Sequence, residues 1–154
     1  MTAATSWLSE IFSGALAGHD AHCPPARVVQ GLAHEQAARA GWEGGHSPWE
    51  LLYHIVFWQE LCLRAIAGRR VDWREAEAKG WPSEDMQATS PWEELCRRFD
   101  EGLQEADRLA RTRDPQAALD GWGGAPAAKA FMVLVQHNSY HLAQIVDARR
   151  ALGL

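Results

Sequence analysis

The chain has 154 residues, 47% of them apolar and 23% charged, with a formal net charge of −5. That balance fits one self-folding domain over residues 1–154 and excludes disordered and fibrous classes. Lysine and arginine never cluster beyond a pair, which argues against a nucleic-acid partner, and no apolar run nears the ~20 residues that cross a bilayer, so a cytoplasmic protein without a membrane partner is expected.

Apolar residues recur at three- and four-residue spacing and strand-like alternation is nearly absent, so the predicted class is all-α. Residues Ser6 to Leu16 form a first helical segment that Gly18 and the polar residues His19 to His22 bring to an end. Pro24 and Pro25 suit the first turn of a short helix reaching Leu32, because proline φ is already helical and its missing N–H has no partner there. Two stronger start signals follow: Ser47-Pro48-Trp49-Glu50 and Ser90-Pro91-Trp92-Glu93, each with a serine cap, a proline and a glutamate three residues after the cap. Both read as capping boxes, opening helices that run to Gly68 and to about Thr112. Their flanks diverge at once, so shared capping chemistry explains the likeness and no internal repeat is inferred.

Between these helices, Arg69 to Thr89 is polar and irregular apart from a possible short helix over Trp73 to Lys79. A second long connection, Arg113 to Ala125, is rich in Gly and Pro. From Pro126 helical character continues unbroken to Leu152, the longest helix of the chain.

That last helix carries the main chemical signal. His137 and His141 are four residues apart, so both rings project from one face about one turn apart, where a single ion can take both. They lie on the stripe Ala130, Leu134, His137, His141, Ile145 and Ala148, which should face neighbouring helices. Seven histidines in a chain of this length make one such pair weak evidence alone. A third ligand from another helix strengthens it, and His54 sits mid-helix among Leu51, Ile55 and Trp58, where an imidazole is otherwise awkward. The predicted metal ligands are therefore His54, His137 and His141. His46 directly precedes a capping serine and His34 follows a helix end, so both fit the site less well, and His19 and His22 lie in a turn and read as surface histidines. Cys23, Cys62 and Cys96 are too few and too scattered for a disulfide framework, and no local motif makes any of them a nucleophile.

The segment His137-Asn138-Ser139-Tyr140-His141-Leu142-Ala143-Gln144-Ile145 resembles the H-x-x-Y-H-x-x-Q-I pattern of the DinB/YfiT-like metalloenzyme family. Gly45 to Trp58 is similar to the family segment in which an aromatic pair follows the first metal histidine, with His54 on the ligand position. The resemblance implies an up-down-down-up four-helix bundle with long crossover connections and a divalent metal on three histidines with open positions. It also implies a homodimer, as family members often are, and some relatives with assigned roles are thiol-dependent transferases or isomerases acting with bacillithiol or mycothiol, while many others have no assigned activity.

Three imidazoles leave a coordination position open, as in catalytic zinc sites. The expected cofactor is a divalent ion, Zn or Ni first, with Fe, Mn or Cu also compatible. The expected substrate is a small molecule, and transfer of a low-molecular-weight thiol and hydrolysis both suit such a site; a non-catalytic metal or small-molecule binding bundle is the third reading. Glu50, Tyr140 and Gln144 are the candidates for orienting the ligands.

Overall fold

The computed structural model describes residues 3–18 and 21–154. In chain order the elements are α1 (Ala3–Ala17), α2 (Pro25–Val29), α3 (His34–Ala37), α4 (Pro48–Ile66), α5 (Trp73–Glu77), α6 (Glu84–Thr89), α7 (Trp92–Thr112), the two-residue strand β1 (Ala118–Leu119), a 3₁₀ turn over Asp120–Trp122, β2 (Ala125–Pro126) and α8 (Ala127–Leu152). The strands pair antiparallel, Ala118 with Pro126 and Leu119 with Ala125, and the described chain is otherwise helix and connection. No helix among the described residues is long and apolar enough to cross a membrane.

The start of α4 follows the sequence reading. Ser47 Oγ accepts the Glu50 N–H at 3.2 Å, and Glu50 Oε2 accepts the Ser47 N–H at 2.7 Å, so two otherwise unpaired donors are satisfied reciprocally. Gly68, at φ +84°, takes the left-handed turn that lets the chain leave α4.

The matching signal at Ser90 plays out differently. Helix α7 is capped by Pro91, one residue later, with no side-chain cap from its own segment. Tertiary partners have displaced the box: the Ser90 carbonyl accepts the Trp49 indole N–H at 2.8 Å, and the Trp92 N–H donates to His34 Nδ1 at 3.2 Å. His34 thus serves the first turn of a helix 58 residues away in sequence. Helices α3 and α6 and the β1–β2 pair were not foreseen, since each is too short to carry a periodic pattern.

Helix α4 packs against α7 and α8, and α1 packs against the same two helices. One apolar cluster joins Trp49, Leu52 and Ile55 of α4 to Trp92, Leu95 and Phe99 of α7 and Leu142 and Ile145 of α8. A second joins Phe12 and Leu16 of α1 to Leu63 and Ile66 of α4, Leu109 of α7 and Phe131 and Leu134 of α8. Burying large side chains such as Trp49, Trp92 and Phe131 contributes about 1.5–3 kcal/mol or more each before conformational entropy is charged against it. Along α4 and α8 the two clusters are separated by the buried polar residues Gln59 and Asn138, and the histidines lie beside this junction.

Candidate metal centre

Helix periodicity places His137 and His141 on one side of α8, and the α4–α8 packing brings His54 against them. Ring centroids lie 4.6 Å apart for His137 and His141, 5.0 Å for His54 and His137, and 4.5 Å for His54 and His141. His54 Nε2 and His137 Nε2 are 3.2 Å apart. One ligand atom from each histidine falls within 4.8 Å of the others, the one grouping of this kind among the described residues. His54 and His141 are buried and His137 is half-buried.

The far side of each buried ring is held by a carbonyl. His54 Nδ1–H donates to the Gly80 backbone oxygen at 2.7 Å, and His141 Nδ1–H donates to Gln144 Oε1 at 2.7 Å. A neutral imidazole with its proton on Nδ1 carries its lone pair on Nε2, so two lone pairs are turned toward the shared space. His137 Nδ1 is buried without a hydrogen-bond partner among the described residues.

This arrangement fits a divalent ion. Two imidazole nitrogens bound at about 2.0–2.1 Å stand about 3.3 Å apart around a tetrahedral ion and about 2.9 Å apart at a right angle; the 3.2 Å between His54 and His137 lies between the two. A carbonyl behind a ligating imidazole is the usual means of fixing its tautomer and orientation. Electrostatics agree. Burial, with the neighbouring histidines adding to it, lowers the pKa of His54 to about 4 and that of His137 to about 4, and burial also lowers that of His141. Near neutral pH the three imidazoles are therefore uncharged, and each has one ring nitrogen free of a proton.

Aromatic side chains surround the histidines. The Trp81 indole stacks on His54 with centroids 3.9 Å apart and planes 17° apart, and His46 stacks on Trp81 at 4.0 Å and 13°. Trp58 meets His54 and His137 edge-on. Tyr140 lies edge-on to His141 but is 63% exposed. Of the three candidate orienting residues, Gln144 holds the His141 ring, whereas Glu50 is committed to the α4 cap and its carboxylate lies 3.9 Å from His46.

The orienting group that sequence reasoning missed is Gly80, because a backbone carbonyl leaves no signature in residue type. Nor did sequence reasoning give His46 a role, since its partner Trp81 is 35 positions away. His22, in its turn, has Nε2 3.0 Å from Ser139 Oγ on α8, and His19 lies outside the described residues. Burial pushes the Cys62 and Cys96 thiols up to about 12, so neither supplies a thiolate.

Residues 26–145 match the family described as the DinB superfamily. No curated protein and no solved structure matches the chain.

Proposed function

This chain belongs to the DinB superfamily, and on that premise we propose that His54, His137 and His141 hold one divalent metal ion and that the site transfers a low-molecular-weight thiol to a small electrophile. The observation that carries the metal reading is the pairing of inward Nε2 lone pairs with outward carbonyls at His54 and His141. Zn or Ni is the first choice, and Fe, Mn or Cu also suits imidazole-rich donors. We further propose one domain over residues 1–154, folded as an up-down-down-up four-helix bundle of α1, α4, α7 and α8. The reciprocal packing of α1 and α4 on both α7 and α8 supports it.

When bound, the ion supplies Lewis acidity that lowers the pKa of a coordinated thiol or water toward neutrality. The protein's own share is positional. His54 and His141 keep their ring protons on the outer nitrogens, and Trp58 and Trp81 cover the histidines with apolar rings that limit water on those sides. In the net reaction the thiol loses its proton to solvent and sulfur forms a bond to the electrophilic carbon; a chlorinated electrophile loses chloride with its electron pair, and an epoxide breaks one carbon–oxygen bond, the oxygen staying on the product and taking a proton from solvent. The thiol comes from outside, which fits the inert Cys62 and Cys96. The commitment of Glu50 to the helix cap favours this reading over a hydrolase that uses that carboxylate as general base.

The test is metal analysis of untagged protein followed by assay of the loaded form. Bacillithiol, mycothiol and glutathione would each be paired with chlorinated and epoxide electrophiles, with His141→Ala as control. Metal-dependent conjugate formation is expected from at least one pair. Hydrolysis of an ester or amide with no conjugation from any pair would replace this reading with the hydrolase. The proposal includes a homodimer, on family kinship, and a monomer by light scattering at micromolar concentration would remove that part; the cytoplasmic location is proposed separately, on the absence of a long apolar run in the sequence.

A further inference from the structure

The connection between α5 and α6 comes back over α4 at His54. Its Gly80 carbonyl accepts the His54 Nδ1–H, and the next residue, Trp81, lays its indole flat on the same imidazole. His46, from the segment before α4, covers the opposite face of that indole. Three rings from three parts of the chain therefore form one stack, with the His54 imidazole at its inner end. The seating is close: a Cβ on Gly80 would stand 2.9 Å from Trp58 Nε1 and 3.0 Å from its Cζ2. Any side chain there would press on the Trp58 indole, so that either that ring or the loop would have to shift. Trp81 is nonetheless 40% exposed, so hydrophobic burial alone does not account for its placement.

We propose that Trp81 is a positioning residue for the metal centre: backed by His46, its indole fixes the plane of the His54 ring while the adjoining Gly80 carbonyl fixes its tautomer, so that Nε2 meets His137 and His141. An imidazole on an α-helix turns about two side-chain torsions, and its χ2 well is broad. The hydrogen bond to Gly80 restricts the direction of Nδ1, and the flat contact removes the remaining rocking of the plane. The other two histidines are held by different means, His141 by Gln144 on its own helix and His137 by the rings around it. Trp81 also meets His141 edge-on, with centroids 6.1 Å apart, but of the three it is His54 that, among the described residues, both hydrogen-bonds to this distant loop and stacks flat on it.

The inference rests on the metal reading for its purpose, but its geometry can be tested without metal. In metal-free protein, nitrogen-resolved NMR of the His54 ring should show the Nδ1–H tautomer, with ring protons shifted upfield by the stacked indole. Trp81→Ala should remove that shift and weaken Co²⁺ binding by about ten- to a hundred-fold, the range that loss of an outer support brings. Trp81→Phe should restore most of both, whereas Trp81→Leu, apolar without a flat ring, should not. Gly80→Ala should weaken Co²⁺ binding with Trp81 intact. A merely structural role would lower the unfolding midpoint and leave the His54 signals and Co²⁺ affinity unchanged well below it. That result in Trp81→Ala overturns the inference and leaves the three-histidine site standing. Absence of Co²⁺ binding by the wild type, with the His54 signals as expected, overturns the metal reading and leaves the positioning of the ring intact.

Discussion

Asn138 donates from Nδ2 to Gln59 Oε1 at 2.8 Å, joining α8 to α4 through two buried amides. Gln59 passes the link on, donating from Nε2 to the Phe99 carbonyl of α7 at 3.0 Å. Asn138 adjoins His137, and Gln59 follows His54 by little more than one turn, so this link sits where α4 and α8 must be in register for the histidines to meet. Gly102 makes room for it: a Cβ there would stand 1.8 Å from Gln59 Nε2.

Replacing Gln59 with Leu should therefore leave Asn138 Nδ2 buried without its partner, destabilising the fold by about 1–3 kcal/mol, while the Phe99 carbonyl, inside α7, keeps its helical hydrogen bond. Gly102→Ala should cost about 1–3 kcal/mol, because Gln59 can yield only by giving up its hydrogen bonds. Urea unfolding midpoints measure both. Wild-type midpoints in both variants would show that the amide link does not hold the three helices together.

The two Ser-Pro-Trp-Glu segments should respond differently to the same change. Ser47→Ala should cost about 1 kcal/mol, since the serine caps α4, whereas Ser90→Ala should change stability by no more than a few tenths. The cap of α7 is expected to show instead in His34→Ala, at about 0.5–2 kcal/mol, through the unpaired Trp92 N–H. Equal losses at Ser47 and Ser90 would count against this assignment of caps.

Untagged protein should take up about one divalent ion per chain, and His54→Ala, His137→Ala and His141→Ala should each weaken binding. Because the three histidines converge only in the fold, metal at a hundred times its dissociation constant should add about 2.7 kcal/mol of stability. Thermal melts with metal and with chelator read this directly. An unchanged midpoint once metal is known to be removed would show that binding and folding are not coupled.

Acid should destabilise the metal-free protein. His54 and His137 have folded pKa values of about 4 against an ordinary value of 6.5. Between those limits the unfolded chain binds more protons than the folded one, so stability rises with pH across the window. The unfolding midpoint should be level from pH 8 to about 7, then fall from about 6.5 toward 4, and His54→Phe should flatten part of that fall. Metal affinity should follow the folded-state values and persist at pH 6, where histidines of ordinary basicity begin to lose metal to protons. Loss of metal centred near pH 6.5 would contradict the depressed values.

What could be read from the sequence was whatever depends on neighbours along the chain. Four-residue spacing alone puts His137 and His141 on one face of α8, and the three-residue spacing of the same helix lets Gln144 reach His141. Apolar periodicity marked α1, α4, α7 and α8, and Ser47 marked the start of α4 because both partners in its box lie within one turn. Whatever depends on approach through space was decided by the tertiary structure. The two Ser-Pro-Trp-Glu segments are locally alike, yet only one forms its box, since Trp49 and His34 reach the other from outside. His54 stood out only as an imidazole in an apolar setting; its Nδ1 partner is a glycine carbonyl 26 residues away, and its stacking partner belongs to a connection with no periodic pattern. Backbone carbonyls and glycine clearances are set by how loops lie on helices, and side-chain sequence does not encode that locally.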